Sequence, residues 1–459
     1  MIISFRNNIY LYIYLLLIIV ILIELGFNFP IPWGDEAAFI FQAIAFSETN
    51  SLFTNVLSDS RIIMWMQPGY MIIQGIFYKI FGYSFELARM ISWLFYLLSI
   101  FIFYKILQKY FHKNSLYILM LVFILPSGLA IANVARMESS IIFLYLLSVY
   151  FLLEKKYILV FSLLIIGILF HFNIVYFGLT FLIVLFYDYI IFEKKVSSFF
   201  KASKQEYFIF IISILFLLLY VIFVYINWIN YENDMAFQFT RKLDRVPFYF
   251  SLRNLIIIFI MIVFSTYLFI KKERNYLLLS LSSLSMFILW ANGQEIWYEF
   301  FLFLAITNLY ILFIDIFNKK IFQVIFISLY ILIIFKSLFL SFYGMKLNIY
   351  DEQYIDEFTK FKIYKIIKEL KTKYHKENLT LYVNRGNALM FYNFSKKENI
   401  KLIYLLPKDI EKNRKVDIAI YIYRDNDPEW LKNFPIFAEY NMAKIISTKN
   451  NEVRVILNE

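Results

Sequence analysis

Trp33-Gly34-Asp35-Glu36 follows the first long apolar run of the chain, residues 9–25, and places two adjacent carboxylates beside a membrane-length segment. Charged side chains near lipid cost free energy, so those that occur there usually mark a functional site. The alternative is a helix start, because acidic residues suit a first helical turn and residues 37–47 have helical spacing of their apolar side chains. The two roles are compatible, and the second predicts that a helix begins here.

The composition assigns the chain to the membrane proteins. Of its 459 residues, 61% are hydrophobic, whereas soluble domains contain about 45–50% apolar residues. Most lysines behind the net charge of +11 lie in short clusters between apolar runs; this is an orientation pattern of membrane proteins, so no nucleic-acid partner is expected. The chain has no cysteine, which excludes disulfides, thiolate catalysis and cysteine-based zinc sites. Its histidines, His112, His171 and His375, lie too far apart to form a metal motif.

The apolar runs predict a polytopic α-helical protein with about eleven membrane-spanning helices. They lie near residues 9–26, 84–104, 115–134, 139–153, 157–171, 173–191, 207–228, 254–270, 275–291, 298–314 and 321–342. Basic clusters at residues 105–113, 155–156, 194–204, 271–274 and 319–320 then share one side, which the positive-inside rule makes cytoplasmic. The outer side receives the acidic pair, Glu138, His171, the loop at 229–252 and everything after residue 345.

Residues 64–81 determine on which side the later loops lie. The segment is apolar enough to span, but a span here would place Asp35 and Glu138 in opposite compartments. Its glutamines, glycines and Pro68 make it a poorer span than its neighbours. We therefore predict a juxtamembrane or re-entrant helix that stays on the outer side.

The chain after residue 344 has the composition of a soluble domain. Helical spacing over residues 350–373 is followed by predicted strands at 379–383, 401–405 and 417–423, with a short helix at 388–394. This alternation predicts a small α/β domain outside the membrane. No glycine-rich phosphate motif follows any of these strands, so no nucleotide site is predicted. The predicted domains are residues 1–344, with a first outer loop at 27–63, and an extracytoplasmic domain at 345–459.

Further short motifs follow the acidic pair. Met66-Gln67-Pro68-Gly69-Tyr70 comes first, then Phe81-Gly82-Tyr83-Ser84 with Arg89 just beyond. In this order the motifs resemble the N-terminal half of the GT-C membrane glycosyltransferases of the protein-O-mannosyltransferase and aminoarabinose-transferase type. The resemblance is strongest over residues 30–190. It implies a GT-C fold and transfer of one sugar from a polyprenyl-phosphate carrier to a glycan, lipid or protein acceptor.

The resemblance gives the acidic residues catalytic roles. Asp35 would be the general base that takes the proton of the acceptor hydroxyl while the phosphate leaves from the opposite face. Glu36 and Glu138 would orient the acceptor or hold a divalent metal, which some members of the family use. Glu138 stands where aspartate is commoner and the chain has no Asp-x-Asp, so no cofactor is assigned and the metal stays open. The alternative for Glu138 is a solvated helix end paired with Arg136, a contact that contributes little.

Basic residues on the outer side are candidates for holding the donor phosphate. Arg241, Lys242 and Arg245 cluster in the longest predicted outer loop, and Arg61 and Arg89 flank residues 64–81. Arginine suits phosphate because its planar fork donates to two oxygens at once. The alternatives are ordinary membrane-surface charge for the loop trio and a structural role for Arg89.

Gln67, His171 and Tyr298 complete the substrate-binding candidates. A histidine such as His171, where two apolar runs meet, is more often a hydrogen-bonded helix end than a ligand. Tyr298 stands where related enzymes carry an Arg-Tyr pair followed by prolines, and this chain lacks both the arginine and the prolines. An interfacial aromatic belt explains Tyr298 equally well.

Two other functions are alternatives to glycosyl transfer at the outer face of the bacterial cytoplasmic membrane. A polymerase of the O-antigen type also acts on polyprenyl-linked glycans, but the long tail argues against it. A flippase or transporter is expected to carry charges within its spans and an inverted repeat. The predicted spans are almost free of charge and show no repeat, so transport is the weaker alternative.

Overall fold

The structure is a computed structural model. It describes residues 2–26, 34–56, 62–111, 121–191, 199–243, 251–293, 296–316, 324, 328, 331–332, 335, 357–373, 380–384, 388–405, 418–423, 441–447 and 452–457.

The described residues are mostly helical, because long apolar stretches with few glycines and prolines favour helix. The helices before the tail are α1 (Ile2–Leu25), α2 (Gly34–Thr49), α3 (Gly69–Phe81), α4 (Phe85–Tyr110), α5 (Pro126–Ala132), α6 (Glu138–Leu153), α7 (Tyr157–Phe170), α8 (Val175–Ile191), α9 (Lys204–Ile226), α10 (Trp228–Leu243), α11 (Leu252–Ile270), α12 (Arg274–Gly293) and α13 (Ile296–Ile316). Short 3-10 segments occupy Leu121–Ile124 and Phe172–Ile174.

Several helices have the length and composition of membrane spans. Within the described residues, 4 are long and apolar enough: Phe85–Tyr110, Phe172–Ile191, Lys204–Ile226 and Leu252–Ile270. Shorter apolar helices cover Ile9–Leu25, Glu138–Leu153, Tyr157–Phe170 and Tyr298–Phe313. The chain is therefore an integral membrane protein, as predicted. The count of about eleven spans and the orientation stay predictions.

Two predicted elements differ from the observed ones. The predicted span at 115–134 is not one helix over its described part, which consists of a 3-10 segment and the seven-residue α5. Pro126 explains the break, since proline lacks the amide proton that would continue a helix but suits a helix start. The predicted outer loop at 229–252 is helical in its first part, where Trp228–Leu243 forms α10; its outer location stays a prediction.

Residues 64–81 form a helix only from Gly69 onward. The 13 residues of α3 extend about 20 Å at 1.5 Å per residue, which falls short of the roughly 30 Å of a bilayer core. The preceding Pro68 prevents an earlier start, because the residue before a proline is disfavoured in helix. The length agrees with the prediction that this segment does not span.

The chain divides into two compact units. The first unit contains Met1–Gly26, Ile63–Tyr70 and Arg89–Tyr343, and the second contains Phe27–Ile62, Met71–Ala88 and Gly344–Glu459. The second unit thus combines the predicted first outer loop with the tail. The predicted domain boundary at residues 344/345 stays a prediction.

A buried ion pair joins helices of the first unit. Arg274 at the start of α12 donates from Nε to Asp188 Oδ1 (2.7 Å) and from Nη2 to Asp188 Oδ2 (2.8 Å). The Tyr157 hydroxyl, at the start of α7, donates to Asp188 Oδ2 (2.5 Å), and Arg274 Nη2 also reaches the Leu152 carbonyl of α6 (2.9 Å). Arg274 is therefore not a solvated member of the basic cluster at 271–274; it ties the ends of α6, α7, α8 and α12 together.

The tail contributes strands and helices to the second unit. After α14 (Glu357–Lys373) come β1 (Thr380–Asn384), α15 (Ala388–Lys397), β2 (Lys401–Leu405), β3 (Ile418–Tyr423), β4 (Asn441–Ser447) and β5 (Glu452–Leu457). The sheet order is β2-β1-β3-β5-β4. β1 pairs in parallel with β2 and β3, while β5 pairs antiparallel with β3 and β4. The alternation of helix and strand agrees with the predicted α/β class; its outer location stays a prediction.

Helices α2 and α3 approach each other closely in the second unit. A Cβ added to Gly75 of α3 would lie 2.8 Å from the Ala43 carbonyl oxygen and 2.7 Å from Phe46 Cδ1 of α2. Glycine at this position therefore allows the helix carrying the acidic pair to pack against α3. Gln42 of α2 adds a buried contact, in which Nε2 lies 2.9 Å from Met71 Sδ.

Candidate functional site

The acidic pair begins α2. Asp35 and Glu36 occupy its first turn, so the predicted helix start is confirmed, and the partial positive charge of a helix N-terminus favours carboxylates there. The two side chains differ in exposure, because Glu36 is fully buried whereas Asp35 is partly accessible. Asp35 is thus the more exposed member of the pair.

Aromatic rings from three parts of the second unit meet near this pair. The Tyr83 ring makes near-perpendicular contacts with the rings of Tyr78 and Tyr392, with centroid distances of 5.3 Å to each. Tyr392 of α15 also contacts Phe41 of α2 at 6.1 Å. Burial raises the pKa of the Tyr83 hydroxyl, and the negative charge of Glu36 raises it further. The sequence did not indicate Tyr83 or Tyr392 as candidate site residues, although Tyr83 belongs to the motif Phe81-Gly82-Tyr83-Ser84.

Polar contacts tie α15 of the tail to α2. The Tyr392 hydroxyl donates to Glu48 Oε1 at 2.9 Å, and Lys396 Nζ donates to the same oxygen at 2.6 Å. Lys79 of α3 donates to Asn50 Oδ1 at 2.9 Å, just beyond α2. The end of α2 is therefore held by both α3 and the tail.

Glu138 forms a buried ion pair in the first unit. Arg136 Nε lies 3.2 Å from each carboxylate oxygen of Glu138, and Nη2 lies 2.9 Å from Oε1. The side chains are only 3% and 5% exposed. Glu138 begins α6 and does not end the preceding helix, and the predicted alternative of a solvated pair is wrong because both partners are buried.

The turn that carries Arg136 is held by polar side chains of α4. Ser92 Oγ donates to the Val134 carbonyl at 2.5 Å and lies 2.6 Å from the Tyr70 hydroxyl. Trp93 Nε1 donates to Asn133 Oδ1 at 2.9 Å, and Asn133 Nδ2 in turn donates to the Gly26 carbonyl at 2.7 Å. Sequence reasoning missed this network because no local motif signals it.

Arg89 lies in α4, one turn before Ser92, and is fully buried. Arg89 therefore belongs to the packed interior of the protein, where a guanidinium needs charged or polar partners. The burial agrees with the structural alternative given for Arg89 in the sequence, and it does not test the phosphate role.

Gln67, His171 and Tyr298 come together through a short polar chain in the first unit. The Phe172 amide donates to Gln67 Oε1 (3.2 Å), and Asn173 Nδ2 donates to the Tyr298 hydroxyl (3.3 Å). His171 Nδ1 accepts from the Asn173 amide (3.0 Å), so His171 ends α7 and caps the following 3-10 segment. This is the hydrogen-bonded helix end expected for a histidine between two apolar runs.

The structure describes only some of the basic residues proposed to hold the donor phosphate. The backbone of Arg241 and Lys242 lies in the last turn of α10. Arg61 and Arg245 lie outside the described residues. Buried Asp234 fixes α10 within the first unit, because its Oδ2 accepts from the Met64 amide at 2.7 Å.

In the part of the chain that the structure describes, the candidate ligands do not fit a metal ion. Among the described residues, no group of three or more His, Cys, Asp or Glu side chains could hold one. Glu138, one of the two predicted ligands, already receives several hydrogen bonds from Arg136.

Comparison with solved structures finds the fold of a known enzyme. No family model matches the chain, and no curated protein matches it in sequence. The crystal structure of apo ArnT from Cupriavidus metallidurans is similar at a TM-score of 0.52 and 9% identity, covering 96% of this chain and 97% of that one. The structure of ArnT bound to undecaprenyl phosphate gives 0.54 and 11%, covering 97% and 98%. The GT-C resemblance is thereby confirmed for the fold.

Proposed function

We propose that this chain is a membrane glycosyltransferase that moves one sugar from a polyprenyl-phosphate carrier to a hydroxyl of a glycan, lipid or protein acceptor. The observation that supports this most is the ArnT-like fold over 97% of the chain. A fold alone does not specify an activity, so the proposal also depends on the acidic pair. The reaction would take place on the outer face of the bacterial cytoplasmic membrane.

Asp35 is the base in this proposal. The acceptor hydroxyl gives its proton to the Asp35 carboxylate, and its oxygen forms a bond to the anomeric carbon of the sugar. The bond between that carbon and the phosphate oxygen breaks, and polyprenyl phosphate leaves with both bonding electrons. The partial exposure of Asp35 and its place in a first helical turn support this role.

Glu36 and Glu138 are positioning residues in the same proposal. Buried Glu36 would orient the acceptor beside Asp35. Glu138, whose side chain is held by a hydrogen bond from Arg136, would also help to orient the acceptor. Fixed side chains suit this task because catalysis depends on orientation to within a fraction of an ångström.

The donor would be held by its phosphate. ArnT of C. metallidurans has been crystallised with undecaprenyl phosphate, which makes a polyprenyl phosphate the carrier to test first. In our proposal Arg241, Lys242 and Arg245 bind the phosphate, with Arg61 and Arg89 as the next candidates. Gln67, His171 and Tyr298, which share one polar chain, contact the sugar.

The test is transfer by the purified protein in detergent. Undecaprenyl-phosphate pentoses and hexoses with radiolabelled sugars serve as donors, and an envelope extract from a strain lacking the protein serves as acceptor. Asp35→Asn should abolish transfer, because asparagine keeps the shape and the helix-start role but cannot take a proton. Glu24→Gln, which changes an exposed carboxylate of α1, is the matched control. If Asp35→Asn kept transfer within a few-fold of wild type, the base assignment would be wrong.

A further inference from the structure

The second unit contains a buried hydroxyl that the proposed mechanism does not use. Tyr83 Oη is shielded from solvent, and the described residues offer it no hydrogen-bond partner. Buried polar groups are nearly always bonded, since an unsatisfied one costs free energy. A hydroxyl left in this state is therefore a candidate for a contact that forms only when substrate binds.

The ring that carries this hydroxyl is fixed in place. Gly82, with a φ of +78°, turns the chain directly after α3 and sets the direction of the next residue. The Tyr83 ring makes near-perpendicular contacts with Tyr78 and with Tyr392 of the tail, both at a centroid distance of 5.3 Å. Packing against two rings in this way favours one orientation of the Tyr83 ring.

The hydroxyl lies in the electrostatic field of the acidic pair. After burial, the negative charge of Glu36 is the strongest influence that raises the pKa of Tyr83, followed by that of Glu86. Tyr83 therefore stays protonated at any physiological pH and acts as a hydrogen-bond donor near a carboxylate. Its hydroxyl nevertheless makes no hydrogen bond to Glu36 within the described structure.

We propose that Tyr83 is a substrate-contacting residue whose hydroxyl donates a hydrogen bond to a hydroxyl oxygen of the acceptor, bound beside Glu36. A hydroxyl is the group that fits, because it can accept from Tyr83 and donate to a carboxylate at the same time. The inference rests on the proposed function and adds a residue that selects for hydroxyl-bearing acceptors.

Kinetics of Tyr83→Phe test this contact, because phenylalanine keeps the ring stack and removes only the donor. The amount of envelope extract that half-saturates transfer should rise about five- to tenfold, as expected for one lost hydrogen bond. The half-saturating concentration of undecaprenyl-phosphate sugar should stay within about twofold. Tyr78→Phe, which removes the hydroxyl of the neighbouring ring, should change neither value. Unchanged acceptor saturation for Tyr83→Phe, or equal changes in both variants, would overturn the proposal.

Thermal unfolding without substrates gives a second, independent answer. Tyr83→Phe should leave the unfolding temperature unchanged or raise it, because no bond within the protein is lost. Tyr392→Phe should lower it, because the bond to Glu48 is lost. If Tyr83→Phe lowered it as much as Tyr392→Phe, the hydroxyl would have a structural partner and the proposal would be wrong. If wild type transferred sugar from no donor, the proposed function would fail, and this comparison would still decide whether the hydroxyl is bonded within the protein.

Discussion

Lys396 Nζ lies 2.6 Å from Glu48 Oε1, and this contact binds α15 of the tail to the helix that begins with the acidic pair. The two residues are 348 positions apart in the chain. Because these two residues are in contact, we predict that the first outer segment and the tail lie on the same side of the membrane. The prediction that residues 64–81 do not span the membrane also places these two segments on one side.

We expect cysteine labelling to show this shared location. The native chain has no cysteine, so Thr49→Cys and Asn393→Cys, both at exposed positions, can be labelled individually. Both should react with an impermeant maleimide in intact cells or spheroplasts, whereas Lys271→Cys should react only after lysis. Opposite accessibility of Thr49→Cys and Asn393→Cys would contradict the contact between α2 and α15. Labelling of Lys271→Cys alone would invert the topology.

Breaking the Arg136–Glu138 pair should destabilise the protein strongly. Glu138→Ala leaves a guanidinium that is 3% exposed without its carboxylate, and such a buried uncompensated charge costs about 3–5 kcal/mol. Thermal unfolding in detergent measures the change. The double variant Arg136→Met with Glu138→Met should be much closer to wild type, because it removes both charges. If the stable double variant retained full transfer, Glu138 would have only a structural role.

The Asp234 carboxylate should stabilise the segment that contains Gln67. Asp234→Ala removes the acceptor of the buried Met64 amide, and an unsatisfied buried amide costs about 1–3 kcal/mol. Faster proteolysis or faster hydrogen exchange at residues 62–68 would report the loss. Glu232→Ala, at an exposed position of the same helix, is the control and should have little effect. Equal behaviour of the two variants would mean that the bond contributes nothing.

Replacement of Gly75 should separate α2 from α3. Alanine there places its Cβ 2.8 Å from the Ala43 carbonyl oxygen, and overpacking of this kind costs about 1–3 kcal/mol. Gly178→Ala is the matched control, since its Cβ would meet nothing within 4 Å and alanine favours helix by about 1 kcal/mol. The unfolding temperature should therefore fall for the first variant and hold or rise for the second. A neutral Gly75→Ala would show that the two helices can move apart at little cost.

Charge reversal of Arg241 and Arg245 should weaken donor binding. Arg241→Glu with Arg245→Glu replaces contacts to the donor phosphate by repulsion, and losing a charged contact of this kind reduces affinity by roughly 10²-fold. Donor affinity and maximal turnover are measured separately against rising undecaprenyl-phosphate sugar. If donor affinity were unchanged, these residues would be ordinary membrane-surface charges and not ligands of the donor phosphate.

Local patterns predicted the elements that depend on local sequence. The strand at Lys401–Leu405 was predicted with the observed bounds, and β1, β3 and α15 within a few residues. The strands β4 and β5 were not predicted, although Val453 and Val455 alternate with polar residues in the manner of a strand.

Features held by distant side chains could not be predicted. The turn before Glu138 is stabilised by Ser92 and Trp93, more than 39 positions earlier in the chain. Helix α10 is likewise tied to Met64 by Asp234, 170 positions away. Neither contact produces a local pattern in composition or periodicity. The sequence therefore indicated a helix end at Glu138 and a loop where α10 forms.

The ion pair between Asp188 and Arg274 joins the two ends of a segment, because the residues are in contact although they are 86 positions apart in the chain. Within this segment, α9 and α11 leave most of their apolar side chains exposed. Their environment is therefore lipid, which distinguishes little between one aliphatic side chain and another. We expect this part of the protein to accept exchanges among leucine, isoleucine, valine and phenylalanine freely, and evolutionary drift to be fastest there. Asp188 and Arg274 themselves should tolerate single replacement poorly, because replacing either one would leave the buried charge of the other without its ion-pair partner.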